Sequence, residues 1–161
     1  MKQNFYKFSV QKPNGEEISL SDYKGKVLLL VNTNADDTYH QEFNNLERLY
    51  QKYQSIGLEI LAFPTEKFSK EAILNDADII RDYKRKYNIT FPVMKKISLE
   101  KGKVPPLFRY LTESKNKIFK NDIKRNFTKF IISREGEIVR RFNNDRSIDE
   151  LERALKKYIE G

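Results

Sequence analysis

The residues whose types and spacing most directly suggest chemistry are Asp36, Asp37 and His40, the only histidine of the chain. Spacings of three and four residues bring side chains to one face of a helix, and two carboxylates with one imidazole could bind a divalent metal. The same stretch, with Thr38, also suits a helix start, because its side chains accept hydrogen bonds from the first free N–H groups and its charge complements the helix dipole. We favour the helix start and expect no metal or other cofactor.

The 161 residues contain no cysteine. Disulfides, thiolate metal sites and thiol redox chemistry are therefore all excluded, since the thiolate is the reactive species in each. The first residues (MKQNFYKFSVQK) lack the continuous apolar core of a secretory signal, and no apolar run approaches the roughly 20 residues that span a bilayer. We expect a cytoplasmic protein without a membrane segment.

The positive charge of the chain is concentrated in one part of the sequence. Within Arg81–Lys129, here called the basic segment, 15 lysines and arginines stand against 4 aspartates and glutamates, a local charge of +11 in a chain whose net charge is +8. A field of that sign attracts anions, whether small substrates, acidic proteins or nucleic acid. The simpler interpretation, which we favour, is a solvated lysine-rich surface.

The hydrophobic pattern predicts one α/β domain over residues 1–161, without repeats or linkers. Val27–Val31 and Leu58–Phe63 are continuous apolar runs, typical of strands buried on both faces of a sheet. Apolar residues at spacings of three and four predict a helix between them, over about 39–54, and hence a parallel βαβ unit. Further predictions are a leading hairpin over Phe5–Val10 and Glu17–Leu20, helical pattern within Ser69–Tyr87, an extended Phe91–Ile97, a short helix from Pro105 to about Leu111, a hairpin over Phe127–Ser133 and Glu137–Phe142, and a closing helix over Ile148–Ile159.

Five short stretches match a known pattern in order along the chain. They are KVLLLVN (26–32), FPTEKF (63–68), NITFP (88–92), PLFRYL (106–111) and NFTKF (126–130). Together they resemble the glutathione peroxidases, which reduce hydroperoxides with a reactive cysteine or selenocysteine and draw electrons from glutathione or thioredoxin. The resemblance implies a thioredoxin-like three-layer α/β/α fold with a mixed central sheet and an N-terminal β-hairpin. It also implies a monomer, because the stretch between residues 92 and 126 lacks the proline–glycine-rich loop of the tetrameric animal enzymes.

The resemblance places the four active-site positions of the family at Asp37, Lys67, Arg125 and Asn126. The peroxidatic residue corresponds to Asp37, or to a direct neighbour if the alignment is shifted by one residue. The glutamine of the family motif FPCNQF corresponds to Lys67, and the Trp–Asn pair before FTKF corresponds to Arg125 and Asn126. Only Asn126 keeps the residue of the family.

Two further cysteine positions of the family are also occupied by other residues. The cysteine of FPCNQF corresponds to Thr65, and the resolving cysteine of thioredoxin-dependent members falls near Tyr83–Lys84. An alcohol, acid or amine cannot cycle through a sulfenate-like state. A hydroperoxide reductase would therefore follow from family assignment alone, and we expect peroxidase activity to be absent.

Three interpretations of the altered site remain open. The first is an ionic lock, in which Asp37 pairs with Arg125, Lys67 or both and fills the vacated pocket. The second is an anion-binding site, in which Lys67 and Arg125 hold a phosphate or carboxylate. The third is catalysis by Asp37 as a nucleophile or Lys67 as a Schiff base, for which the sequence offers no supporting general base. We favour the ionic lock.

The function that best fits these observations is that of a non-catalytic relative or cysteine-free variant with a binding or scaffold role. Its most plausible partner is an acidic protein or polyanion on the basic segment. Aromatic residues interleave with the lysines there, as in single-strand nucleic-acid platforms, but most of these aromatics correspond to core residues of the family. An enzyme or anion-binding protein that uses Asp37, Lys67 and Arg125 is the alternative.

Overall fold

A computed structural model describes residues 5–34, 40–65, 75–113, 123, 126–144 and 146–161. Three of the four predicted site positions, Asp37, Lys67 and Arg125, lie outside the described residues. Asn126 lies within them.

The element order alternates strands and helices, as the hydrophobic pattern predicts. The strands are β1 (Ser9–Gln11), β2 (Glu17–Ser19), β3 (Val27–Thr33), β4 (Leu58–Pro64), β5 (Lys129–Ile132) and β6 (Ile138–Phe142). The helices are α1 (His40–Tyr53), α2 (Asp76–Tyr87), α3 (Pro106–Thr112) and α4 (Ile148–Glu160). Among the described residues, no helix has the length and apolar composition needed to cross a membrane.

The central sheet has four strands in the order β4–β3–β5–β6, and β1 with β2 forms a separate two-stranded hairpin. Strand β3 pairs in parallel with β4 and antiparallel with β5, so the sheet is mixed. All seven residues of β3 are buried, which explains its unbroken apolar sequence. The predicted parallel βαβ unit and the hairpin of β5 with β6 are both confirmed.

One short prediction was wrong in detail, and another segment proved to have an unexpected place between two sheets. Phe5–Lys7 forms a 3-10 turn rather than the start of a strand, because this turn buries the Phe5 ring while the Tyr6 hydroxyl donates to the Arg134 carbonyl oxygen at 3.0 Å. The 91–97 segment, predicted to be extended, makes two isolated parallel bridges, from Val93 to Ala62 of β4 and from Ile97 to Thr65 just beyond β4. The amide N–H of Lys95 instead donates to Gln11, so the segment joins two sheets and belongs fully to neither.

The core is divided by the sheet into two apolar layers. One layer lies between the sheet and α1, α2 and α4, and β3 contributes Val27, Leu29 and Val31 to it. The other lies on the opposite face beneath the hairpin and α3, and β3 contributes Leu28 and Leu30. The alternation of side chains along a strand produces this division.

An acidic side chain, Glu59, lies half-buried in β4. Its carboxylate shares a hydrogen bond with the Tyr50 hydroxyl of α1 and accepts the Ile60 amide N–H at 3.2 Å. Burial nevertheless raises the pKa of Glu59, because loss of hydration outweighs these hydrogen bonds and the attraction of Lys26. The folded protein thus prefers the protonated acid more strongly than the unfolded chain does.

This preference predicts a pH-dependent effect of Glu59→Gln. Because folding raises the pKa of Glu59, the wild type is most stable relative to the variant at pH values below the pKa of Glu59 in the unfolded chain. It loses that advantage as pH rises through the pKa of Glu59 in the folded protein. The unfolding free energy of the variant minus that of the wild type should therefore increase from about pH 4 to about pH 7.5, measured by urea denaturation. Glu160→Gln, at an exposed position, is the control. The same difference at both pH values would contradict the assignment.

Candidate functional site

Buried polar side chains gather where β3 and β4 end. Asn32, Thr33 and Asn34 are at most 3% exposed, and Thr65 just beyond β4 is 6% exposed. The Thr65 amide N–H donates to the Thr33 carbonyl oxygen at 2.9 Å, so the two strand ends stay in register. Polar groups at the carboxyl ends of parallel strands are a common place for ligand and catalytic sites in α/β proteins.

The segment before β5 is fixed to this end of the sheet by Asn32. The Phe127 amide N–H donates to the Asn32 backbone oxygen at 2.7 Å, and the Thr128 amide N–H donates to the Asn32 Oδ1 at 3.0 Å. Phe127 takes a left-handed conformation with φ 60°. These contacts place Asn126, which is 1% exposed, next to the ends of the strands, as the resemblance implies for a site residue.

A tyrosine occupies the position near which the resolving cysteine was expected. The Tyr83 hydroxyl hydrogen-bonds the Thr33 Oγ1 at 2.8 Å inside the protein. Burial raises the pKa of Tyr83 well above its usual value. Its ring lies 4.8 Å from that of Phe43, which also stacks on Tyr87 at 4.2 Å and meets Phe127 edge-on at 5.1 Å. Aromatic packing and one buried hydrogen bond therefore anchor α2 to the strand ends.

A buried ion pair borders the same region. Lys129 of β5 has a side chain only 6% exposed, and its Nζ lies 2.7 Å from the Glu42 Oε2 of α1. A lysine is rarely this buried unless it is paired. Lys129 belongs to the matching NFTKF stretch, and its charge is already neutralised by Glu42, so it adds little to the attraction of an external anion.

The Thr65 hydroxyl stands apart from this network. Its Oγ1 is buried and has no hydrogen-bond partner among the residues that the structure describes. Buried polar atoms without a partner are uncommon in folded proteins. At the position that the resemblance assigns to a family cysteine, the chain thus has a small side chain with a hydroxyl and no thiol.

The structure therefore describes one of the four predicted site positions. Asn126 lies at the sheet end, whereas the ionic lock and the anion site depend on Asp37, Lys67 and Arg125 and stay predictions. His40 begins α1, exposed, with its ring 5.6 Å from that of Tyr87. No cluster of three metal-binding side chains occurs among the described residues, and the proposed partners of His40, Asp36 and Asp37, lie outside them.

Comparison with known proteins identifies the scaffold. A profile of the glutathione peroxidase family matches residues 5–112. The chain belongs to the glutathione peroxidase family. It is 38% identical over 156 residues to a glutathione peroxidase of Lactococcus lactis, with 97% of this chain and 99% of the relative covered. It is 40% identical over 157 residues to the glutathione peroxidase homolog BsaA of Staphylococcus epidermidis, with 96% and 99% covered.

Solved structures confirm the thioredoxin-like fold. The crystal structure of T. cruzi GPX1 matches with a TM-score of 0.77 and 30% identity over 99% of this chain and 98% of that protein. A thioredoxin-family thiol:disulfide interchange protein of Chlorobium tepidum matches with a TM-score of 0.69 at 19% identity, over 94% and 92% of the two chains. The second likeness supports the fold alone. The α/β fold with a mixed four-stranded sheet and an N-terminal hairpin, as predicted, is confirmed.

In this family member, the described end of the sheet offers amides, hydroxyls and aromatic rings, and its one lysine is paired. These groups can hold a polar ligand by hydrogen bonds, but none of them is a nucleophile with an adjacent general base of the kind that covalent catalysis requires.

Sequence reasoning missed three contributors to the region: Thr33, Glu42 and Lys129. The threonine that follows Asn32 at the end of β3 and the lysine between Thr128 and Phe130 were available signals, since each puts a polar group next to core positions. Their partners are 50 and 87 residues away in the chain, so no local pattern could have supplied them.

The buried hydroxyl pair can be tested by a double-mutant cycle. Tyr83→Phe leaves the Thr33 hydroxyl without this partner and should lower the unfolding free energy by about 1–3 kcal/mol. Adding Thr33→Val removes both polar groups, so the double variant should recover about 1 kcal/mol relative to the sum of the single changes. Urea denaturation measures all four proteins, with Tyr158→Phe, at a half-buried position of α4, as the control. Strict additivity would show that the two hydroxyls do not interact.

Proposed function

We propose that this chain is a member of the glutathione peroxidase family that lacks thiol peroxidase chemistry and binds an acidic partner through its basic segment. The observation that carries the proposal is the absence of any cysteine in a domain whose fold is that of the family. The role that remains for such a scaffold is recognition.

The chemical argument concerns electron transfer. Reduction of a hydroperoxide by this family requires a thiolate or selenolate that is oxidised and then restored by a second thiol. Thr65 and Tyr83 stand at or near two of the corresponding positions as a hydroxyl and a phenol. A threonine hydroxyl or a tyrosine with a raised pKa is protonated at neutral pH and does not attack a peroxide oxygen as a thiolate would.

The binding argument concerns exposed charge. Within the described part of the basic segment, eight basic residues are exposed: Arg81, Lys84, Arg85, Lys86, Lys95, Lys101, Lys103 and Arg109. Arg81 pairs with Asp78 and Lys103 with Glu100, both on the surface, where such pairs are weak and screened by salt. The surplus of positive charge supports attraction of an acidic protein surface or another polyanion.

The absence of peroxidase chemistry predicts that the wild type consumes hydrogen peroxide or cumene hydroperoxide no faster than buffer, with glutathione or thioredoxin as the reductant. Asp37→Cys should instead react with about one equivalent of peroxide, seen as a sulfenic acid by mass spectrometry. Asp36→Cys and Thr38→Cys are position-matched controls. Turnover by the wild type would refute the proposal. Faster reaction of a control variant would show that the peroxidatic position of the family corresponds to residue 36 or 38 and not to residue 37.

Binding to the basic segment predicts a salt-dependent affinity for a polyanion such as heparin, with log K falling linearly as log salt concentration rises. Lys84→Glu with Arg85→Glu in α2 should weaken binding by about tenfold or more at moderate salt. Arg153→Glu with Lys156→Glu in α4 makes the same charge change at two other exposed helix positions and should have a smaller effect. Equal weakening by both pairs would indicate attraction by net charge alone and contradict a specific surface.

A further inference from the structure

A cavity of about 500 Å³ lies between the N-terminal hairpin, residues 95–98 and the beginning of α3. Its volume falls within the roughly 300–1,000 Å³ of small-molecule sites. Phe63 of β4 contributes to its wall from the central sheet. Asn126 is not among its described lining residues, so the cavity is separate from the buried polar cluster at the strand ends.

The floor of the cavity is apolar. Four of its side chains are buried and two, Phe8 and Ile97, are half-buried. Phe63 and Phe108 meet edge-on at 5.0 Å and give the floor an aromatic wall. The apolar lining consists of Phe8, Val10, Phe63, Ile97, Leu107 and Phe108, together with Pro105 and Pro106. The polar side chains of Ser9, Gln11 and Ser98 also line the cavity. A ligand that lies against the buried apolar side chains gains most from an apolar body of its own.

The rim of the cavity is positively charged. Among the described lining residues, Lys7, Lys95 and Lys96 are basic and Glu17 alone is acidic. Lys7 and Lys95 are exposed, and the Lys7 Nζ lies 5.2 Å from the centre of the Phe8 ring, so positive charge stands directly beside the apolar floor. This surplus of two positive charges favours an anionic head group at the mouth.

Backbone hydrogen bonds hold the frame of the cavity. The Lys95 amide N–H donates to the Gln11 carbonyl oxygen at 2.8 Å, and the Ile97 amide N–H donates to the Pro64 carbonyl oxygen at 2.9 Å. The segment between hairpin and sheet is thus fixed from both sides. Because these hydrogen bonds already order the frame, ligand binding does not carry the entropic cost of ordering it, and the affinity is higher.

We propose that this cavity binds a monocarboxylate with an apolar body, such as an acyl chain of medium length. The carboxylate lies among the lysines of the rim and the chain lies against the aromatic floor. A polyanion does not fit this arrangement, because its closely spaced charges would have to leave water to reach the apolar floor. Lys95 and Lys96 belong to the basic segment, whereas the other described basic residues of that segment, including Lys84 and Arg85, do not line the cavity.

The probe is decanoate, and the chain offers a clean reporter because it contains no tryptophan. Phe8→Trp introduces one fluorophore in the apolar lining of the cavity, and Tyr158→Trp introduces one on α4 as the matched control. Decanoate should shift the emission of the first variant saturably and leave the second unchanged. Decanoate should also raise the melting temperature of the unmodified protein, as mass action requires. This second measurement tests the proposal even if the introduced tryptophan blocks the cavity.

The head group and the chain are tested separately. Decanol and decyltrimethylammonium, which keep the chain but lose the negative charge, should bind at least about tenfold more weakly. Acetate, which keeps the charge but lacks the chain, should not bind measurably. Lys95→Glu should weaken decanoate binding about tenfold, whereas Lys156→Glu, on α4, should not.

The outcomes separate this proposal from that for the basic segment. Lys84→Glu with Arg85→Glu does not change the cavity and should leave decanoate binding intact even where heparin binding is lost. Equal binding of decanoate and decanol, an unchanged affinity in Lys95→Glu, or no stabilisation of the unmodified protein by decanoate would each overturn the proposal.

Discussion

The arrangement of the strand ends depends on Asn32, the buried polar residue near the end of the central strand. Its backbone oxygen and its side-chain oxygen accept the amide N–H groups of two successive residues before β5. The two oxygens of Asn32 are shielded from water, so leaving either of them without a hydrogen bond would carry the full penalty of a buried polar group. This double acceptance fixes where the chain re-enters the sheet, and therefore where Asn126 and Phe127 lie.

The aromatic residues around Phe43 extend that constraint to the helices. Phe43 touches Tyr83, Tyr87 and Phe127, so one side chain of α1 contacts both α2 and the segment held by Asn32. The Tyr83–Thr33 hydrogen bond adds a directional link to the same strand end. The described strand ends are thus packed with aromatic rings and hold one buried hydroxyl pair, which together stabilise a fixed arrangement.

The sequence predicted the features that depend on residues close together in the chain better than those that depend on residues far apart. The helix α1 was predicted almost to its ends, because Phe43, Leu46 and Leu49 form a regular buried stripe. The 91–97 segment was predicted as extended, but its position between the two sheets was not, because its amide groups bond in turn to β4, to β1 and to Asp76. Within the candidate site, the position of Asn126 followed from the resemblance, whereas the pairing of Lys129 with Glu42 and the cavity beside Phe8 arise from residues far apart in the chain.

The sequence by itself determined the fold class, the order of the elements and the loss of sulfur chemistry, because hydrophobic periodicity and residue types are local properties. Only the tertiary structure decided which polar groups meet at the strand ends, that Tyr83 bonds to Thr33, and that three lysines border an apolar cavity. Those features depend on distances between segments separated by many residues, which the packing of two core layers sets and no stretch of sequence contains.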